Sequence, residues 1–448
     1  MKKHEQWTSK LGFILAAAGS AIGLGAIWKF PYMTGANGGG AFLLLFLLFT
    51  VLIGAPMLLA EFIIGRNTQK DAVSSYRSID PDGKWHYIGY IGILTSLLIL
   101  SFYSVAGGWI LSYLIRALTG STAGLTSSEY DALFGTIISN PAESLTAQFI
   151  FLALTVFVVA GGIKDGIEKA SKLMMPSLFI LFIILAVRSL TLDGAAEGLN
   201  FFLMPDWNDV SGETAIMALG QAFFALSVGV SVMVTYSSYL GKNESLTRSV
   251  TSVVSMNILI SLLAGLVIFP AVFTFGFEPG EGPGLVFVVL PAVFNELAFG
   301  NIFFLLFLVL LLFATLTSAF SILEILVSAV AKNDRAKRKK WAWLGGLIVF
   351  IAGIPSNLSN GVLADVMIFG KTVFDLIDYI TSNILLPTGG LLIALFIAFK
   401  MKKPVLEQEF HAGNARPMDW TFTVWYMLIR FVVPAAIVLI FLNVLGVF

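Results

Sequence analysis

Residues 19–32 read GSAIGLGAIWKFPY and interrupt an apolar segment that begins near residue 11. Glycine costs a helix about 1 kcal/mol relative to alanine, so Gly19, Gly23 and Gly25 weaken a helix that is otherwise long enough to cross a membrane. Close helix packing through small residues is the simpler explanation of one such run taken alone. The rest of the chain must therefore decide between a packing motif and a broken helix.

The composition of the chain is that of a membrane protein. Hydrophobic residues make up 57% of the 448 residues and charged residues only 12%, whereas about a quarter of a soluble domain is charged. Apolar stretches of about 20 residues recur, and backbone in lipid must satisfy its own hydrogen bonds, so these stretches should be helices. We predict an all-α polytopic membrane protein, a single transmembrane domain over residues 1–448 with about eleven spans. Their approximate limits are 11–33, 39–65, 87–117, 147–163, 168–189, 213–240, 250–274, 300–331, 341–354, 367–399 and 420–446.

The composition also argues against several other classes of protein. Lys+Arg and Asp+Glu both number 27, and this balance gives no support to a nucleic-acid partner. Cysteine is absent, which excludes disulfides and thiolate chemistry, and the three histidines are too few for a histidine-rich metal site. No Gly-x-Ser-x-Gly or His-Glu-x-x-His motif indicates an enzyme, and no feature indicates an obligate protein partner.

Lysine and arginine are distributed unevenly between the loops. The N-terminus and the loops after even-numbered spans carry them, whereas segments 191–212 and 273–299 contain none. By the positive-inside rule, the N-terminus and the loops after even-numbered spans face the cytoplasm. With an odd number of spans the C-terminus is extracellular, and the expected location is the inner (plasma) membrane.

A second interrupted helix changes the interpretation of residues 19–32. The sixth span reads GQAFFALSVG over residues 220–229. The two interruptions correspond if residues 11–189 and 213–399 are five-span repeats, followed by an extra helix at 420–446. Paired broken helices indicate a transport site at the bilayer midplane. Exposed amides there attract a carboxylate, and exposed carbonyls can bind a cation.

Polar side chains within the spans are further candidates for function. Thr317 and Ser318 share a face of the eighth span with Ala314, where they could bind a cation or bond back to their own carbonyls. Asn257 and Ser261 share a face of the seventh span, where an amide could equally join two helices.

Ionisable side chains suggest gates and caps. Lys29 follows the first break and Asp378 opens the tenth span, so a pair between them would close an outer vestibule, although interfacial snorkelling also explains both. Glu61 could cap amides at a helix break or pair with Arg66.

These segments resemble the neurotransmitter:sodium symporter family, which has the LeuT fold. The resemblance runs from Trp7 to about Gly446, and its most specific part is residues 19–32 followed by NGGGAF at 37–42. It implies a secondary active transporter built as a 5+5 inverted repeat, with unwound first and sixth helices. The short form with eleven spans is similar to bacterial members.

The resemblance implies two sodium sites. The first would use the Ala21 carbonyl, Asn257 and the substrate carboxylate. Ala26 and Ala225 stand where the family usually has Asn and Thr or Ser, so either Ser231 or another hydroxyl compensates or this site is weaker. The second site would use the carbonyls of Gly19, Ile22 and Ala314 with the hydroxyls of Thr317 and Ser318.

The resemblance also implies a pocket for an amino acid. Monoamine carriers of this family place Asp at the position of Gly23, so glycine implies a substrate with its own carboxylate, and an apolar lining favours a hydrophobic side chain. The carboxylate would be bound by the amides of Leu24 and Gly25 and the hydroxyl of Tyr103. The amino group would be bound by the carbonyls of Ala21, Phe224 and Ser227. The side chain would be surrounded by Ile99, Phe224, Val230, Ser318 and Ile322, and Phe224 would also act as a lid.

Two further features bear on ions and gating. Gln221, Asn257 and Ser261 resemble chloride-binding members, whereas Phe46 and Ala225 lack the hydroxyls found there, so chloride dependence stays open. At the inner gate, Lys3 or His4 stands where the family has Arg, and Lys332 stands where it has Asp, with Asp334 two residues on.

Glycine and proline near the start of the fifth span suggest a helix that can open. Gly166 and Pro176 lie ten residues apart, a spacing that in this family lets the span unwind and opens a water path to the second sodium site. The alternative is a helix that simply begins near Pro176.

The sequence therefore predicts sodium-coupled symport of hydrophobic, aliphatic and aromatic L-amino acids into the cell by alternating access. A sodium-dependent carrier of another small carboxylate-bearing solute is the main alternative. An ion channel is a third possibility and would require a continuous pore.

Overall fold

The computed structural model places helices at all eleven predicted spans, and the residues it describes contain no β-strand. It describes residues 5–278, 284–297, 299–332, 334–414 and 419–446, without the side chains of Asp209 and Arg335. The uninterrupted spans are Gly40–Thr68, Tyr87–Leu118, Pro141–Ala160, Ile163–Leu190, Leu246–Thr274, Gly300–Ala331, Arg335–Leu358, Val373–Phe399 and Asp419–Val444.

The first and sixth spans are each divided into two helices, as predicted. In the first span, Lys10–Ala21 and Gly25–Ala36 meet at an angle of 52°. In the sixth, Gly212–Ala225 is separated by residues 226–231 from Val232–Ser238. The connecting segments form the shorter helices Ala72–Ile79, Ser127–Ser139, Ala195–Leu203, Trp207–Asp209, Leu285–Asn295 and Lys403–His411.

Five span starts differ from prediction: the fourth, fifth, seventh, ninth and tenth spans begin at residues 141, 163, 246, 335 and 373 rather than 147, 168, 250, 341 and 367. Side-chain caps, rather than hydropathy, determine four of these starts, and the caps of the seventh and tenth spans are Ser245 and Thr372. The ninth span begins at Arg335, where the Asp334 side chain accepts hydrogen bonds from the amides of Ala336 and Lys337. A run of basic residues is therefore helical although it lies outside the apolar stretch. The fourth span begins at Pro141 behind the cap Asn140 in the same way.

Prolines account for wide helical turns in several spans. In the first span the Phe30 amide bonds the Gly25 carbonyl five residues back, and the following residue, Pro31, has no amide to donate. A missing donor removes one i→i−4 bond, and the turn relaxes to the π form. The same order of π turn and proline occurs at Thr50–Gly54 with Pro56, Leu285–Val289 with Pro291, Ile380–Leu385 with Pro387 and Leu428–Val432 with Pro434.

Four spans form one packed group, and the broken spans lie among the others. The third, fourth, eighth and ninth spans pack on one another. The two halves of the sixth span pack mainly against the second, and Lys10–Ala21 packs against the fifth, seventh and eighth. Both breaks therefore lie inside the molecule, where protein can satisfy backbone that lipid could not.

Candidate functional site

The seventh span joins the two breaks through one side chain. Asn257 Nδ2 donates hydrogen bonds to the carbonyl oxygens of Ala21 at 3.3 Å and Ala225 at 2.9 Å. Each of these carbonyls lies at the end of the helix that precedes a break. The carbonyl ends of both broken helices therefore meet at one buried point.

Two more side chains of the sixth span bridge to the first. Gln221 Nε2 donates to the Gly25 carbonyl at 2.7 Å, and Ser227 Oγ donates to the Ser20 carbonyl at 3.0 Å. The sequence singled out Gln221 only for its resemblance to chloride-binding members. The structure adds that it holds the two broken helices together.

Left-handed backbone creates the break in the sixth span. Ser227, Gly229 and Ser231 have φ values of 52°, 97° and 59°. A Cβ on Gly229 would lie 2.5 Å from the Leu386 carbonyl oxygen, so glycine is required there by space as well as by conformation. Such backbone persists only where its surroundings fix it, and it is common at functional sites.

Glu61 holds the start of the second helix of the sixth span. Its carboxylate accepts hydrogen bonds from the amides of Gly229 at 2.7 Å and Met233 at 3.2 Å. The prediction that Glu61 caps a helix break is confirmed. The alternative partner, Arg66, instead pairs with Glu409 at 2.7 Å.

Four of the five residues predicted for the second sodium site are close together. Ser318 Oγ donates to the Gly19 carbonyl at 3.0 Å, and Thr317 Oγ1 donates to the Ala314 carbonyl at 3.0 Å. Thr317 thus bonds back to its own helix, whereas Ser318 reaches across to the first span. Ile22, the fifth residue, follows Ala21 at the break itself.

The first predicted sodium site contains an unsatisfied oxygen. Asn257 Oδ1 is buried and has no hydrogen-bond partner among the described residues, although Asn257 Nδ2 bonds Ala21. Burying such an acceptor costs about 1–3 kcal/mol unless a partner binds it. Ser231 is not brought to this site, because its hydroxyl bonds the Tyr76 hydroxyl at 2.9 Å. The structure thus offers no contact by which Ser231 replaces the oxygens missing at Ala26 and Ala225.

All the residues predicted for the substrate pocket line one cavity of about 40 Å³ between the breaks and the third and eighth spans. The Leu24 amide donates to the Tyr103 hydroxyl at 3.2 Å, so two groups predicted to bind a carboxylate are adjacent. A Cβ on Gly23 would lie 2.7 Å from that hydroxyl and closer still to Ser318 Oγ. Sequence reasoning missed four lining residues. Ser20 lies within the quoted residues 19–32 but was given no role, and Ser96, Val232 and Leu386 lie outside the quoted motifs.

A second cavity of about 210 Å³ adjoins the pocket on the predicted outer side. Lys29 and Asp378 both line it. They form no ion pair in the described structure: Lys29 Nζ lies 4.4 Å from the centre of the Phe224 ring, and Asp378 accepts from Ser382 Oγ at 2.8 Å. Phe224 lines both cavities and therefore lies between them.

The predicted cytoplasmic side is held together by groups that the sequence did not identify as partners. Trp7 Nε1 donates to the Tyr236 carbonyl at 2.9 Å. Arg338 pairs with the buried carboxylate of Glu324, which also accepts from the Tyr239 hydroxyl at 2.8 Å. Of the residues expected at the inner gate, Lys3 and His4 lie outside the described residues.

The start of the fifth span is a π turn, Ile163–Glu168, that contains Gly166. The helix continues through Pro176, so the alternative of a helix beginning near Pro176 is wrong. Glu168 accepts hydrogen bonds from Lys172 Nζ at 2.6 Å and the Thr8 amide at 2.8 Å. The first turn of this span is thereby tied to the N-terminal segment.

The residues considered for chloride are also buried. Ser261 Oγ and Gln221 Oε1 have no hydrogen-bond partners among the described residues. Phe46, which replaces a hydroxyl-bearing residue of the chloride-binding members, packs against Phe30 with ring centres 4.7 Å apart.

Comparison with known proteins agrees with this geometry. The Sodium:neurotransmitter symporter family model matches residues 4–129 and 136–448. YhdH of Bacillus subtilis, described as an uncharacterized sodium-dependent transporter, is 55% identical over 446 residues, covering 100% of this chain and 99% of its own. A sodium-dependent transporter of Haemophilus influenzae is 38% identical, covering 99% and 98% of the two chains. The crystal structure of MhsT in complex with L-phenylalanine matches with a TM-score of 0.91 and 44% identity, over 98% of this chain and 100% of that one.

The chain belongs to the sodium:neurotransmitter symporter family. It is a multi-pass membrane protein that has the fold of MhsT, and it is a sodium-coupled transporter.

Proposed function

We propose that the protein carries hydrophobic L-amino acids into the cell together with sodium. The main observation behind this proposal is a pocket with one polar end and one apolar end. The Leu24 amide and Tyr103 hydroxyl, 3.2 Å apart, offer hydrogen bonds to a carboxylate. Ile99, Val230 and Ile322 provide an apolar lining. MhsT, whose crystal structure contains L-phenylalanine, supports this substrate class.

The position of Gly23 supports a substrate that brings its own carboxylate. Tyr103 and Ser318 occupy the space into which a side chain at this position would extend. An aspartate there would displace groups that we assign to the substrate. The pocket therefore favours an amino acid over an amine.

We further propose two sodium ions as co-substrates. The donor sets are carbonyl, amide and hydroxyl oxygens, which suit a hard cation. For one ion, Asn257 Oδ1 and the Ala21 carbonyl are joined by the substrate carboxylate. For the other, the hydroxyls of Thr317 and Ser318 turn from their present carbonyl acceptors toward the ion. Sodium must bind the outward-open state more tightly than the inward-open state to drive the cycle.

The transport cycle is alternating access in a chain built from two five-span repeats, with the N-terminus cytoplasmic and the C-terminus extracellular. Lys29 and Asp378 line the cavity above the pocket. Their approach to each other, with Phe224 below them, would close that cavity after binding. Release of Glu168 from Thr8 would then let the first turn of the fifth span unwind and open the opposite side.

Uptake into proteoliposomes tests the proposal. Radiolabelled leucine and tryptophan are supplied with an inward sodium gradient or an inward potassium gradient. Accumulation above equilibrium with sodium alone is expected. If folded protein accumulates neither amino acid, competition by other small carboxylates tests the broader carrier, and sodium current without any substrate would indicate a channel.

A further inference from the structure

A cavity at the predicted cytoplasmic face lies outside the transport site. It has a volume of about 370 Å³ and is formed by three elements: the helix Ala72–Ile79 with the two residues before it, the end of the sixth span, and the last turn of the eighth span with Lys332 after it. This volume lies in the range of small-molecule sites, which is about 300–1,000 Å³.

Three basic side chains converge on this cavity. Lys70, Arg77 and Lys332 line it, and none of the three forms an ion pair within the described ranges. A general surplus of positive charge at the cytoplasmic face explains their presence but not their convergence on one cavity. Three like charges around a cavity repel one another, and an anion bound between them would relieve that repulsion.

The negative charge in the lining is already engaged. Asp71 is the cap of Ala72–Ile79, and its Oδ1 accepts from the Ser74 amide at 3.0 Å. With three basic groups and one carboxylate, the lining carries a net charge of +2. This charge matches a dianion better than a chloride ion or a zwitterionic amino acid.

We propose that this cavity binds a phosphate group, either as a soluble phosphate or as a phospholipid headgroup. Arg77 offers a planar fork for phosphate oxygens, and the two lysines offer point charges. The serine hydroxyls of Ser74 and Ser78 line the same cavity and supply neutral donors.

The bound group would stabilise the closed cytoplasmic side. Tyr239 lines the cavity, and its hydroxyl bonds Glu324 of the eighth span. Lys332 directly follows that span. A phosphate held by Arg77 and Lys332 would therefore connect Ala72–Ile79 to the eighth span beside Tyr239. The ligand would oppose any opening motion that separates these two elements.

The test uses the full chain in detergent, with inorganic phosphate as the probe. Phosphate binding is measured by calorimetry. The melting temperature is compared in sodium phosphate and sodium chloride at equal sodium concentration and pH, with choline chloride added to the chloride buffer to equalise the ionic strength. The Arg77→Gln/Lys332→Gln variant should bind phosphate at least ten times more weakly and lose the thermal shift. The matched control Lys339→Gln/Lys340→Gln removes two exposed charges from the predicted cytoplasmic side, outside the cavity lining, and should behave as the unmodified protein.

A phosphate response that is absent from the unmodified protein, or equal in both double variants, would overturn the proposal. Nanodiscs distinguish the two sources of phosphate. A response that persists in phosphatidylcholine but disappears with phosphatidic acid, whose phosphomonoester headgroup can carry two negative charges, identifies the lipid headgroup as the occupant. A response that persists in both identifies a soluble phosphate. None of these measurements depends on transport of an amino acid.

Discussion

The carboxylate of Glu61 accepts a hydrogen bond of 2.7 Å from the amide of Gly229, in the middle of the unwound segment of the sixth span. A fully buried acid in the second span thus holds the break in another helix open. The pairing satisfies both partners. The helix start offers amide donors and a partial positive charge, and the carboxylate has no basic side chain as a partner among the described residues.

Replacing Glu61 should destabilise the protein according to how many acceptors remain. Glu61→Ala leaves two buried amides unpaired and should cost about 3 kcal/mol or more. Glu61→Gln keeps one acceptor oxygen and should cost less. Melting temperatures in detergent measure both, with the exposed Glu197→Ala as control. An unchanged melting temperature for Glu61→Ala would contradict the capping role.

The double variant Thr317→Ala/Ser318→Ala should lose sodium-coupled uptake, because both hydroxyls of the second proposed sodium site are removed. Sodium dependence of uptake in proteoliposomes is the measurement. Thr251→Ala is the control, since Thr251 is exposed on the seventh span and its hydroxyl bonds only to its own helix at 3.0 Å. Sodium dependence like that of the unmodified protein in the double variant would refute the site assignment.

Two glycine substitutions should distinguish an effect on the substrate pocket from the effect of replacing any glycine in a broken helix. Gly23→Ala places a methyl group 2.7 Å from the Tyr103 hydroxyl and should weaken substrate binding at least tenfold. Gly220→Ala, in the other broken span, meets no atom within 4 Å and should bind substrate normally. Equilibrium binding of labelled leucine compares the two. Equal affinities would show that the groups around Gly23 do not contact the substrate.

Glu168→Gln should loosen the start of the fifth span. The change weakens its bonds to Lys172 and Thr8, and charged hydrogen bonds are about twice as strong as neutral ones. Hydrogen exchange in residues 163–175 should become faster, while the rest of the span keeps its protection. Glu143→Gln, which removes the pair with Arg116 at 2.7 Å, is the control. Unchanged hydrogen exchange in both variants would show that Glu168 does not control unwinding of the fifth span.

The sequence predicted the positions of the spans well, because each span needs an apolar stretch of fixed length. It also predicted both breaks, since Gly229 and the glycines from Gly19 to Gly25 leave a visible pattern. The structure then brought every residue of the implied pocket to one cavity.

The sequence could not show which distant side chains would be partners. Arg338 and Glu324 are 14 residues apart on different spans, and the bond from Tyr239 to Glu324 depends on how three helices pack. The hydroxyl of Ser231 was an attractive sodium ligand by proximity in sequence. In the structure Ser231 has left-handed backbone, and its hydroxyl bonds Tyr76 rather than reaching the sodium site.

Asn257 touches the ends of two broken helices at once, at 3.3 Å and 2.9 Å. With Gln221 and Ser227 it fastens those helices to each other, so neither can swing alone without breaking these bonds. The first and sixth spans should therefore travel as one mechanical part. That part would then slide where it meets neighbouring spans, including the third and eighth. There the bonds from Leu24 to Tyr103 and from Ser318 to Gly19 are the ones that must be exchanged in every turnover.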